Sequence, residues 1–250
     1  GEPIATITNV GNDRTLFAFM DSYINDGSRP VLGLGFKDPL GGLLTNFKPT
    51  QTKLTPFFSN LLPEETMRHY LAERAGVNPE REFFLLWVLG QDLAGAITVE
   101  PADGEALPPI VHQDIEGDTK VEAPMRFSLA GVQLKFSALQ QVNGGLTIPA
   151  TGKGGSWIVK LPSSRFEAVP ENEYSMMELA RMLGMEVPET ALLSIDQIAN
   201  IPEGVGKYGN SFKNAQAFAI KRFDRVDGQA VHIEDFAQVF GVYPQDKYKK

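Results

Sequence analysis

RFSLAGVQLKFSAL, residues 126–139, is the stretch on which the reading of this chain turns. From Val132 to Ala138 every second residue is apolar (Val132, Leu134, Phe136, Ala138), so Gln133, Lys135 and Ser137 share the other face of a strand. Gly131, just ahead, suits a turn because a residue without Cβ adopts positive φ freely. The same alternation recurs in SWIVKLP (156–162), where Trp157, Val159 and Leu161 fall on one face and Lys160 on the opposite one. Residues 172–183 are apolar on most sides and stop at Gly184, which predicts a helix. Glu173, Met177 and Ala180 then fall on one stripe of it, the stripe that meets a sheet. Residues 191–195 and 217–223 read as further strands around a Gly-rich excursion at 202–214. Strands, one main helix, then strands define an α+β lobe with an antiparallel sheet, beginning near Met125 and running to residue 250.

The first hundred residues read as a separate unit, a small sheet with helices over 1–102. Strands are expected at 4–8, 15–19, 31–35 and 96–99, and helices at 55–62 and 64–75, the latter closed by Gly76. EFFLLWVL (82–89) is too apolar for a surface and reads as the unit's main buried helix. Between the two units, residues 103–124 combine Pro, Gly and acids without periodicity, which predicts an acidic linker.

Composition narrows the function. The chain has 250 residues, no cysteine and a formal charge of −8, with a pI near 5. Disulfides and thiolate metal sites are excluded. The broad positive field that direct nucleic-acid binding needs is absent. No run of apolar residues reaches membrane-spanning length, and the N-terminus lacks the pattern of a secretory signal, so a cytoplasmic location with no membrane partner is expected. His69, His112 and His232 do not stand at metal-ligand spacing, and neither P-loop, zincin nor nucleophile-elbow patterns occur.

Several charged and small residues instead follow a recognisable order. The turn Ala130, Gly131, Val132, Gln133, Leu134, Lys135, with Ser128 ahead of it, suits an anion cradle in which backbone N–H groups approach closely. A Gly between two strands is more often just an ordinary turn. Lys160 in an apolar strand needs a counter-charge if it is buried, and Glu173, thirteen residues on, is placed to supply one. The alternatives are a lysine on a solvated sheet face and a simple acid at a helix start. Lys221, Arg222 and Phe223 leave a strand as an adenine-contacting hinge would, reading the base through backbone groups. Asp224 with Arg222 or Arg225 also reads as a structural ion pair. Phosphate loop, strand lysine, orienting glutamate and hinge come in the order of a protein-kinase small lobe. The catalytic loop that should follow, with its Asp and its metal-binding Asn and Asp, is not found in the 25 residues after Arg225.

At this point the strings resemble a known family. FSLAGVQLKFSAL, WIVKLP, ENEYSMMELARMLGMEVPE, AIKRFDR and EDFAQVFG, in that order, resemble the small lobe of HipA-like serine/threonine kinases, the bacterial persistence toxins of type II toxin–antitoxin systems. PFFSNLLPEE and GQDLAGAITVEP resemble the N-terminal subdomain that precedes it. The resemblance implies ATP with Mg²⁺ as cofactors. It makes Ser128 the match to an autophosphorylated serine and residues 130–135 the nucleotide-contacting stretch. Lys160 matches the ATP-pairing lysine and residues 221–223 the hinge, where the family carries an acid at the position of Lys221. It further implies a helix-turn-helix antitoxin of HipB type that carries the DNA contacts, and a protein substrate, known members phosphorylating glutamyl-tRNA synthetases or related targets. No catalytic or metal-binding residue can be assigned in this chain. Those are expected downstream of Lys250, so the chain alone is expected to be inactive. Two other readings stay open: a non-catalytic binding or regulatory half of a split toxin–antitoxin kinase, and a small-molecule or lipid phosphotransferase on the same scaffold.

Overall fold

A computed structural model describes residues 2–102, 125, 128–131, 133–142, 144–163, 165–205 and 215–249. The linker expected at 103–124, Val132, and residues 206–214 of the Gly-rich excursion lie outside the described residues. The fold is α+β. Strands β1 (Ala5–Asn9) and β2 (Arg14–Phe19) form an antiparallel hairpin in the register Ala5↔Phe19 to Asn9↔Thr15, and β3 (Thr50–Gln51) pairs with β2. Gly11, Asn12 and Asp13 all adopt positive φ in the hairpin turn, which explains its Gly/Asn/Asp composition. The inner face of β2 presents Phe17 and Phe19 to an aromatic cluster that includes Phe36, Phe47, Phe57 and Phe58.

Four helices accompany this sheet: α1 (Asp21–Asn25), α2 (Pro56–Ser59), α3 (Glu65–Ala75) and α4 (Glu82–Leu89). Pro56 stands in the first turn of α2, where its missing N–H costs nothing. Gly76 closes α3 in the left-handed conformation, its N–H bonded back to Ala72 O. The apolar run 82–89 is buried as expected, with Glu82 buried beside it. The Glu82 carboxylate accepts from the Leu54 N–H and the Ser59 hydroxyl and pairs with Arg68 at 3.2 Å.

Two strands expected in this half are absent. Residues 31–35 make an irregular stretch with a 3₁₀ turn at Leu34–Phe36. The Leu34 N–H donates to the Glu234 carboxylate at 3.0 Å, so a side chain 200 residues away satisfies a donor that a strand would have paired. Residues 96–99 do not pair in a sheet either. Val99 N–H folds back onto Gly90 O at the end of α4, at 2.8 Å.

The second half builds a six-stranded sheet in the order β7-β9-β6-β4-β5-β8. Its strands are β4 (Lys135–Gln140), β5 (Leu146–Thr147), β6 (Trp157–Lys160), β7 (Thr190–Ser194), β8 (Ile198–Ala199) and β9 (Gln216–Lys221). All neighbours are antiparallel except β5 and β8. One helix, α5 (Val169–Met182), packs against β9 and β7. A small hairpin of β10 (Arg225–Val226) and β11 (Gln229–Ala230) and a short helix, α6 (Phe236–Val239), complete the chain.

Register assigns the two faces of this sheet. Phe136, Val159 and Ala219 are paired across β4, β6 and β9 and are all fully buried. Tyr70 of α3 meets Phe136 edge-on at 6.1 Å, so the first half covers this face. Lys135, Lys160 and Phe218 form the matching row on the other face, under α5. Buried side chains of both halves join in one continuous core. Beyond β11 the chain returns across the first half: His232 reaches Leu32 O, Gln238 donates to Phe57 O, and Asn60 donates to Val242 O.

Candidate nucleotide site

Lys160 ends β6 and Glu173 lies near the start of α5, which Pro170 opens after Ala168 in a left-handed conformation. The structure brings the two together: Lys160 Nζ donates to Glu173 Oε2 at 2.7 Å. Their side chains are 26% and 27% exposed, so the pair faces a surface that a ligand can reach. The Phe218 ring lies 5.6 Å from the ammonium, which adds a face favourable to a cation. Register places Lys135 directly opposite Lys160.

Lys135 is only 9% exposed. Burial, then the charge of Lys160, draws its pKa from 10.5 down to about 8, while Glu64 and Glu173 act in the opposite sense. No carboxylate among the described residues is within ion-pair distance of it. Its ammonium lies over Gly131, which has φ +104: a Cβ built there would stand 2.6 Å from Lys135 Nζ. The turn is thus open at the one position where a side chain would evict the cation.

The first half of the chain holds this turn. Ser128 is fully buried; its N–H donates to Asp92 O at 2.8 Å and its hydroxyl donates to Leu61 O. Glu64 N–H donates to Gly131 O at 3.2 Å. Ala130 is half-buried, Leu134 is buried, and Gln133 donates its side-chain amide to Leu161 O at 2.8 Å.

At the far end of β9, Lys221 N–H donates to Glu189 O and Arg222 N–H donates to Ser156 O, both at 2.8 Å. The Lys221 ammonium lies 3.7 Å from Glu189 in an exposed pair, and Phe223 is 64% exposed. The Arg222 guanidinium is turned inward and buried. It forks onto Asp224 at 2.9 and 2.8 Å and lies 3.5 Å from Asp92. Burial disfavours that cation, but Asp224 and Asp92 outweigh it and raise its pKa. Burial likewise pushes the Asp224 carboxyl up, and the bonds from Arg222 and the Gly95 N–H, with the charge of Arg225, bring it below its ordinary value. The structural ion pair allowed for in the sequence is therefore present, with both arginines. Asp92 is the member that sequence reasoning missed; the only local signal was a polar residue in the Gly90–Gly95 turn.

The donor set suits an anion. Lys135 beneath the glycine turn, with Lys160 opposite it in register, can hold phosphate oxygens. For Mg²⁺ the fit fails: among the described residues no group of three or more His, Asp or Glu is placed to hold a metal ion.

A model of the HipA N-terminal domain matches residues 1–100 and a model of the HipA-like C-terminal domain matches residues 127–250. The chain belongs to the HipA-like kinase family. Protein Y4dM of Sinorhizobium fredii, named as a prospective kinase, is 57% identical over the whole of this chain and 60% of its own length. The serine/threonine-protein kinase toxin HipA of Shewanella oneidensis is 29% identical over 95% of this chain and 54% of its own length. A solved structure of Shewanella oneidensis HipA with HipB and operator DNA superposes with a TM-score of 0.60 at 27% identity. It is matched over 98% of this chain and 55% of that one. The HipA-like chain described here thus spans between half and two thirds of the length of these relatives. Among its described residues no helix is long and apolar enough to cross a membrane.

Proposed function

We propose that this chain forms the N-terminal region and nucleotide-holding small lobe of a serine/threonine protein kinase that uses ATP and Mg²⁺. The Lys160–Glu173 ion pair beside the buried Lys135 carries this reading. Lys160 and Lys135 neutralise phosphate oxygens, Glu173 keeps Lys160 aimed, and backbone at residues 130–135 and 221–223 encloses the nucleotide. Mg²⁺ enters the proposal only as the ion that accompanies ATP, since no group among the described residues is placed to hold it. Titration calorimetry with Mg-ATP tests the site. Lys160→Met is expected to abolish binding and Glu173→Gln to weaken it about tenfold, with melting temperatures nearly unchanged because the pair is partly solvated. Wild-type affinity in both variants would sink the proposal.

Positioning without a catalytic Asp does not stabilise a transition state, so the 250-residue chain is expected to transfer no γ-phosphate, and measurable transfer would refute that part. Ser128 is the proposed modification site. Its burial means the turn must leave Leu61 and Asp92 before the hydroxyl can react, and a phosphate of about −2 charge cannot return to that pocket. A helix-turn-helix protein of HipB type is the proposed partner, supported by the HipA–HipB–operator structure. The net charge of −8 fits a DNA role exercised through that partner. The proposed substrate is a protein serine or threonine, and the proposed compartment is the cytoplasm.

A further inference from the structure

Asp92 lies in the turn that follows α4, within the first half of the chain, and takes no part in the Lys160–Glu173 pair. Its main chain and its side chain nevertheless hold opposite walls of the site. The Asp92 carbonyl accepts the Ser128 N–H at 2.8 Å, where the chain enters the glycine turn. Its buried carboxylate accepts from Arg225 Nη2 at 2.8 Å and from Gly154 N–H at 2.8 Å, just beyond and beside the hinge. The same turn is grasped again from the hinge side. Arg225 donates to Leu93 O and Gly95 O, both at 2.8 Å, and Asp224 Oδ2 accepts the Gly95 N–H at 2.9 Å.

We infer that Asp92 is a positioning residue that couples the glycine turn at 128–131 to residues 222–225, where the chain leaves the hinge. Taking two carboxylates and two guanidiniums out of water is costly, and apolar residues of similar volume are often as stabilising. What such a network supplies is a fixed mutual geometry: guanidinium forks accept one orientation of their carboxylates. Releasing the Asp92 carboxylate frees the main chain that carries its carbonyl, so the turn at Ser128 loosens although no atom of its own hydrogen bond has been altered. A displaced turn moves Gly131 away from Lys135, and the phosphate position is lost with it. The consequence for ATP rests on the nucleotide reading above; the coupling itself does not.

Hydrogen exchange on the full chain tests the coupling without nucleotide. Asp92→Asn is expected to speed exchange at least about tenfold both at 128–131 and at 222–225. Arg225→Lys, which keeps the charge and loses the fork, is expected to do the same and serves if the first variant does not fold. Phe19→Leu, a core truncation in β2, controls for general destabilisation and should leave both segments as protected as the rest of the sheet. Acceleration confined to the hinge, with Ser128 still protected, overturns the inference, as does equal loosening in the control. A second arm measures Mg-ATP affinity, expected to fall about tenfold in Asp92→Asn and Arg225→Lys and to hold in Phe19→Leu at matched melting temperature. If the wild-type chain binds no nucleotide, the function proposed above fails, and the exchange comparison still decides the coupling.

Discussion

At the scale of single residues, Lys135 shows how a binding group strains the fold that carries it. Its pKa of about 8 in the folded chain, against 10.5 when exposed, means that near neutral pH both states are protonated and the folded one bears the full penalty of a buried charge. That drop corresponds to on the order of 3 kcal/mol. Between about pH 8 and 10.5 the unfolded chain holds the extra proton, so this residue's contribution makes stability rise with pH across that window. Lys135→Met should therefore raise the melting temperature at pH 7 by several degrees, and the gain should vanish above pH 10.5. The same variant should weaken Mg-ATP or inorganic triphosphate binding. A variant that is destabilised at pH 7, or whose advantage persists unchanged at pH 11, would show that the ammonium is not penalised as argued. Strand alternation placed Lys135 and Lys160 each opposite the apolar residues of its own strand, and spacing offered Glu173 as partner; that they share a face follows from the register. The depth of Lys135 was not legible, nor was the action on it of charges as distant in sequence as Glu64 and Lys247.

At the scale of elements, the strands with three or more alternating residues were readable and the two-residue ones were not. The expectations at 132–138, 157–161 and 217–223 overlie β4, β6 and β9, whereas β5 and β8 are too short to leave a periodic trace. Helix α5 was readable too, but its outer side is thinly covered, with Met182 83% exposed. The mistaken strand at 31–35 has a different cause. Val31, Leu32 and Leu34 suit a strand, yet Gly33 and Gly35 let the segment pass close under the returning chain, and Glu234 claims the Leu34 N–H. A Cβ added at Gly35 would stand 2.7 Å from Gln238 O and 3.2 Å from Val239 O, both backbone atoms of α6. Gly35→Ala must therefore push α6 outward, loosening the bond from Gln238 to Phe57 O. The expected cost is about 1–3 kcal/mol, together with faster proteolysis around Phe236 and no change in the Lys160–Glu173 pair. Full stability in that variant would mean that α6 is only loosely seated.

For the whole molecule, sequence suggested two units and family models match two segments, but the bonds described here run across that division. The Phe136 face of the large sheet is closed by Tyr70, Ser128 is bonded to Leu61 and Asp92, Arg222 and Arg225 grip the 92–95 turn, and Gln238 reaches Phe57. A boundary in sequence similarity marks where a segment can be recognised, and a folding unit requires in addition its own closed core. Residues 125–250 alone would expose the Phe136, Val159 and Ala219 face and leave buried arginines without Asp92. Unpaired buried charge is expensive, and a sheet with an open apolar face associates or stays loose. The 250-residue chain should accordingly melt in one transition, with far- and near-ultraviolet circular dichroism coincident. The isolated second half should keep strand signal while losing near-ultraviolet structure, and addition of residues 1–102 should restore it. Independent, cooperative melting of the two halves would show that the contacts named above are superficial. The first half would then be a neighbour of the nucleotide lobe and not part of its frame.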